Sequence, residues 1–150
     1  MTMKNELLNF TGKTIVVTGG AGHIAQQYCQ MVAGFGARCI LLDLCQQRLD
    51  DVVAVLPKVQ SGAHKGYTID ISSIEEIVVM VGWLDKEFGI IDCLVNNASF
   101  TGDSAMEGWV TEFQEQSLGS WNSALSVNLT ASFLMAQKMS AILGLSLIHI

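Results

Sequence analysis

A doubly wound α/β fold with a parallel sheet is what this 150-residue sequence predicts, on three observations. Short, β-branched apolar runs alternate with segments of helical periodicity. A glycine-rich stretch, VTGGAGHIAQQ (Val17 to Gln27), lies between the first such run and the first helical segment. Neither an internal repeat nor a linker interrupts the alternation. Strands that alternate with helices make βαβ units, and right-handed crossovers put the strands in the order 3-2-1-4 within three α/β/α layers.

Each element has its own warrant. Lys13 to Thr18 (KTIVVT) is an unbroken apolar run, as expected of a strand covered on both faces. Ile24 to Phe35 reads as a helix that Gly34 and Gly36 end. Arg38 to Asp43 (RCILLD) is a second buried strand. Gln46 to Val55 is helical, with Leu49, Val52, Val53 and Leu56 at helical spacing and Pro57 as its stop.

Lys65 to Asp70 is a third strand candidate. Ser72 or Ser73 then caps a helix with Glu75 and Glu76 in its first turn and an apolar stripe of Ile74, Ile77, Val78 and Val81. Ile91 to Val95 is the fourth strand. Phe100 to Gly119 reads as a surface excursion, and Ser120 to Leu143 as one long helix rich in Ala, Leu and Met.

Half of the residues are apolar and 15% are charged, a globular composition. A net charge of −6 argues against a nucleic-acid partner, which needs a basic face. No apolar run reaches the ~20 residues of a spanning helix, so no membrane partner is expected. Met1 to Phe10 carries charge and lacks the apolar core of a signal peptide, which predicts a cytoplasmic protein. Cys29, Cys39, Cys45 and Cys93 stand singly, so they read as buried small hydrophobes, and no metal site is expected.

The glycines carry the first chemical signal. The stretch reads as GxGxxA (Gly20, Gly22, Ala25) or as TGxxGxxA (Thr18, Gly19, Gly22, Ala25). Either reading follows a strand and opens a helix, the context of a Rossmann-type dinucleotide site. Absent side chains let a pyrophosphate approach backbone N–H groups at the positive helix end. The last position serves helix–strand packing and tolerates alanine. Asp43 ends the second strand, where a carboxylate accepts from a ribose 2′-OH and repels a 2′-phosphate. Leu44 and Cys45 offer no cation, so NAD is expected in preference to NADP, with Arg48 the one cation able to reach back.

The pieces FTGKTIVVTGGAGHIA, LLDL, YTIDI, IDCLVNNAS and SVNLTASFLMAQ together resemble the short-chain dehydrogenase/reductases, in their single-domain form, from Leu8 to Met139. The Asn-Asn-Ala at Asn96 to Ala98 matches the dehydrogenase branch. The resemblance implies a phosphate loop of Thr18, Gly19, Gly20, Gly22, His23 and Ile24, with Asp70 and Ile71 beside the adenine. Asn97 and Ala98 would lie under the adenosine ribose, Asn97 also bracing the sheet, while Ser99 departs from the family's usual glycine. Asn128 matches the asparagine on the long helix that holds a water in the proton relay. The implied activity is hydride transfer between nicotinamide and a small-molecule alcohol or carbonyl substrate, by a homo-oligomer.

The family's chemistry also needs a serine after the fifth strand and a Tyr-x-x-x-Lys pair, whose lysine lies on the tyrosine's helical face. Tyr28 is followed four later by Val32 and Tyr67 by Ile71, so neither fits. The expectation is a C-terminally truncated chain without turnover, residues 1–144 forming the N-terminal part of one dinucleotide-binding domain. The tail Leu145 to Ile150 (LSLIHI) shares a strand's pattern but also matches one reading frame of a transposase sequencing adapter. It is expected to be a non-native scar. The alternatives are a non-catalytic NAD-binding or scaffold module and an epimerase-type sugar-nucleotide enzyme.

Overall fold

The computed structural model describes residues 8–102 and 106–144; the expected tail, 145–150, and His149 within it lie outside them. Among the described residues four strands form one parallel sheet: β1 (Thr14–Thr18), β2 (Arg38–Asp43), β3 (Lys65–Thr68) and β4 (Cys93–Val95). Their order is β3-β2-β1-β4, the order expected from right-handed crossovers. The helices α1 (His23–Gly34) and α2 (Gln46–Val55) make the first two crossovers, and α3 (Ile74–Phe88) leads into β4. A helical rod of α4 (Leu118–Leu125), a π-helical segment (Ser126–Ala131) and α5 (Ser132–Met139) follows.

β1 is buried at all five positions because it has a strand on each side and helices over each face. Ile15 and Val17, with Cys39 and Leu41 of β2, pack beneath α1 and α2. Val16, Ile40 and Leu42 face the other way, onto α3 and α5. The pleat therefore sends alternate residues into two cores, which is why the apolar runs are continuous and not alternating.

Three expectations are corrected. The stripe of α3 is Ile77, Met80 and Leu84, with Val81 half-buried, whereas Ile74 and Val78 are exposed. The run IEEIVVMVGWL is apolar on more than one face, so periodicity alone did not choose the face that meets the sheet. Of the cysteines, Cys29 and Cys39 are buried, but Cys93 is only half-buried and Cys45 is exposed, because it occupies the N-cap position of α2 at the surface. The last rod is not one regular helix over Ser120 to Leu143: it begins at Leu118, passes through the π-helical segment and leaves helical form after Met139.

Beyond that rod, Leu143 pairs in parallel with Ile91. Ile91 N–H donates to Ile142 O at 2.8 Å, and Gly144 N–H donates to Ile91 O at 2.8 Å. The chain thus runs alongside the segment that leads into β4. His64 also has partners: Nδ1 accepts from Cys39 N–H at 3.0 Å, and Nε2 donates to Pro57 O at 2.8 Å. That tautomer ties the approach to β3 onto β2.

β4 is tied to β1 through Asp92, whose carboxylate accepts from Thr14 N–H and from Lys13 Nζ, both at 2.8 Å. Burial alone would push this carboxyl up, but the Lys13 ammonium and the Thr14 N–H outweigh it and hold it below its ordinary value. A depressed folded pKa contributes stability above the unfolded value of about 3.9 that is lost as pH falls through the folded value. Asp92→Asn is therefore expected to cost about 1 kcal/mol at pH 7. The gap between melts of the two proteins should hold above about pH 4 and narrow as pH falls below it; a gap that stayed constant or widened on acidification would contradict the ion-pair account.

Candidate functional site

The loop between β1 and α1 is pulled flat onto the sheet, and its glycines are what permit this. Gly19 sits at φ +64°, and a Cβ there would lie 2.9 Å from Ala98 Cα. A Cβ on Gly20 would lie 2.7 Å from Leu41 Cβ. Gly20 N–H donates to Leu42 O, and Gly22 N–H to Gly19 O, each at 2.9 Å. Ala25 is buried against the sheet, so the fingerprint's last position serves packing here, as expected.

The start of α1 lies open above this loop. Gly22 is the N-cap, no side chain caps it, and the first turn carries no acidic residue. The first intrahelical bond is Gln26 N–H to Gly22 O at 3.0 Å. The N–H groups of His23, Ile24 and Ala25 precede it and point along the positive end of the helix. His23 and Ile24 are themselves exposed, Ile24 at 77%.

Beside the loop is a cleft of about 180 Å³ whose walls include Gly19, Asp43, Asp70, Ile71, Ala98 and Phe100. Asp43 arrives there because it ends β2, next to the loop that ends β1. Its Oδ2 accepts from Ala21 N–H at 3.0 Å and its Oδ1 from Leu44 N–H at 2.8 Å. Asp70 Oδ1 accepts from Ser72 N–H and Oγ, which fixes the turn that carries Ile71. Arg48 does not line the cleft. Its guanidinium donates to Ala21 O at 3.0 Å.

The floor is built from the strand ends. Thr18 Oγ1 accepts from the N–H groups of Asn97 and Ala98, each at 3.0 Å. Asn97 Nδ2 donates back to Thr18 O at 3.1 Å and Gly19 O at 3.3 Å. Asn97 thus braces the sheet, and Ala98 is held against Gly19. Thr18 was legible only as part of the fingerprint; a hydroxyl closing an otherwise apolar buried strand was the signal for its bracing role.

Asn128 lies in the π-helical segment, and its side chain is engaged with backbone: Oδ1 accepts from Phe100 N–H at 2.7 Å, and Nδ2 donates to Phe100 O at 3.1 Å. It therefore clamps the strand-four loop to the rod. The ring of Phe100 meets Trp109 edge-on at 5.4 Å, so the excursion after Phe100 folds back over this corner. π-Helical turns concentrate at functional sites because they break the regular bonding of the rod.

Neither tyrosine reaches the cleft. Tyr28 packs on the α1 side of the core, where burial pushes its phenol up. Tyr67 stacks on Trp83 at 4.6 Å. Among the described residues no group of three His, Cys, Asp or Glu side chains could hold a metal ion, and no helix is long and apolar enough to cross a membrane.

Comparisons with known proteins converge on this geometry. The D-threitol dehydrogenase of Mycolicibacterium smegmatis is 32% identical over 144 residues, covering 93% of this chain and 52% of that protein. The 5-keto-D-gluconate 5-reductase of Escherichia coli is 32% identical over 137 residues, covering 91% of this chain and 50% of the relative. The crystal structure of a short-chain dehydrogenase/reductase from Brucella melitensis, described as a glucose/ribitol dehydrogenase, superposes with a TM-score of 0.78 at 27% identity. It covers 90% of this chain and 53% of that one. The chain spans about half the length of the relatives it matches. The sequence profile described as short chain dehydrogenase matches residues 13–144. With that match over nearly its whole length and the 3-2-1-4 sheet beneath it, the chain belongs to the short-chain dehydrogenase/reductase family of oxidoreductases.

Proposed function

We propose that residues 1–144 are the NAD-binding, N-terminal part of a single-domain oxidoreductase that moves a hydride between nicotinamide and an alcohol or carbonyl carbon of a small molecule. The observation that carries the cofactor assignment is the cleft at the ends of β1 and β2. Its described walls hold two carboxylates, Asp43 and Asp70, and no lysine or arginine. A dianionic 2′-phosphate would meet repulsion there, whereas ribose hydroxyls would find an acceptor.

The residues fit the cofactor part by part. The open N–H groups of His23 and Ile24, above the glycines Gly19, Gly20 and Gly22, would take the pyrophosphate. Asp43 keeps acceptor capacity beyond its two backbone bonds and would hold the adenosine ribose over Ala98 and Asn97. Asp70 and Ile71 would flank the adenine. When bound, the nicotinamide supplies the hydride chemistry. Asn128 would act as a positioning residue that fixes the Phe100 backbone at the cleft edge, with the π-helical segment available to hold a water in the proton relay. The proton-transfer pair itself is assigned to residues outside this chain, which would bind cofactor without turnover. A homo-oligomer is proposed for the parent, supported by the exposed row of Leu118, Trp121, Leu129 and Phe133 on the last rod.

Calorimetric titration of the chain tests the assignment. NAD should bind about tenfold more tightly than NADP, and Asp43→Ser should shrink that ratio towards one. Equal or tighter binding of NADP by the unaltered chain would overturn the reading. For the parent protein, NADH formation is measured with a panel of polyols. NADH formation by the 150-residue chain alone would overturn the assignment of the catalytic pair to residues outside it.

A further inference from the structure

One residue in the phosphate loop, Ala21, has its two flanking peptides held by three side chains, and this bears on how the loop meets an anion. Ala21 is the residue between Gly20 and Gly22, and it is 1% exposed. Its N–H donates to Asp43 Oδ2 at 3.0 Å. Its carbonyl accepts twice, from Gln26 Nε2 and from the Arg48 guanidinium, each at 3.0 Å. The three side chains come from the end of β2, from α1 and from α2. Both lone pairs of the carbonyl are used, on the side of the loop away from the cleft, where a second small hollow is lined by Ala21, Gln26, Arg48, Asp51, Val52 and Val55.

We propose that Arg48, assisted by Gln26, is a positioning residue that sets the phosphate loop for pyrophosphate binding without touching the cofactor; the inference rests on the cofactor reading above. A loop carbonyl turned outward would present negative partial charge to the pyrophosphate and compete with the N–H groups at the start of α1. A carbonyl turned inward, away from the anion, needs hydrogen-bond donors behind it. Gln26 and Arg48 supply those donors, so the Ala21–Gly22 peptide stays in the orientation that keeps its carbonyl off the anion. The guanidinium also places a positive charge behind the loop, at the Ala21 carbonyl. Arg48 is exposed at the surface, so its contribution is screened and the expected effect is moderate.

The test separates pyrophosphate from nucleoside. NAD, NADP, ADP and adenosine are titrated into the unaltered chain and into Arg48→Met, Arg48→Lys and Gln26→Leu, with binding followed by NMR chemical shifts. Arg48→Met is expected to weaken NAD and ADP about fivefold and to leave adenosine unchanged, since adenosine carries no phosphate to meet the start of α1. Arg48→Lys should recover part of the loss, and Gln26→Leu should show a smaller loss of the same pattern. Equal weakening of adenosine would mean general loosening and would overturn the proposal, as would unchanged NAD binding. A loss confined to NADP would instead make Arg48 a direct 2′-phosphate contact, also against the proposal. An unaltered chain that binds adenosine but neither ADP nor NAD overturns the dinucleotide reading itself, a failure distinguishable from that of the Arg48 assignment. Should Arg48→Met not fold, the lysine and Gln26 variants carry the same comparison.

Discussion

Gly20→Ala is expected to lower stability by about 2–4 kcal/mol and to abolish measurable NAD binding by the chain. The new methyl would lie 2.7 Å from Leu41 Cβ and 3.0 Å from Leu41 Cα. Leu41 cannot yield, because it is wholly buried and sits between Val17 of β1 and Gly66 of β3 in the sheet register. Gly20 cannot yield either without breaking its N–H bond to Leu42 O. The clash is therefore with the Cβ and Cα of a residue fixed in the sheet, and no flexible side-chain end can move aside to relieve it. Urea denaturation should show a lowered midpoint with an unchanged slope. A midpoint within error of the unaltered chain would show that the loop does not press on β2 as described.

Thr18→Val is expected to cost about 2–4 kcal/mol, because a nearly isosteric change strands two N–H groups. The lost hydroxyl is the acceptor for both Asn97 and Ala98. Valine fills the same volume, so no cavity explains the loss, and unsatisfied donors remain as the cause. Thr18→Ser keeps the oxygen and should retain most of the stability. Thermal melts of the pair decide the matter: if serine were as damaging as valine, the methyl and not the hydroxyl would be what the site needs.

How much of this was legible in the sequence follows from which interactions are local. The strand runs at Thr14 to Thr18 and Arg38 to Asp43 were readable because strands covered on both faces need no pattern finer than continuous apolarity. The strand order came from handedness alone. The glycine loop and Asp43 were readable because their spacing lies within a single βαβ unit. The buried face of α3 was not, since IEEIVVMVGWL offers apolar residues in several directions and only packing against β1 and β2 selects Ile77, Met80 and Leu84. The partners of His64, the Phe100 clamp of Asn128 and the Arg48–Ala21 contact join residues that only the folded chain brings together. The inner purpose of Gly20 was likewise hidden, because its neighbour Leu41 belongs to another strand.

Thr14 touches two side chains that arrive from very different distances along the chain. Arg38, 24 residues on, places its guanidinium on Thr14 Oγ1 at 2.7 Å, and Asp92, 78 residues on, takes the Thr14 N–H at 2.8 Å. Closing the longer loop costs about 1 kcal/mol more in chain entropy, so the β1–β2 unit should be in place before β4 docks. Thr14 thus records an order of assembly in time as well as a position in space. Substitutions at Arg38 fall within the early unit and should slow folding, whereas those at Asp92 act on contacts made late and should show up as faster unfolding.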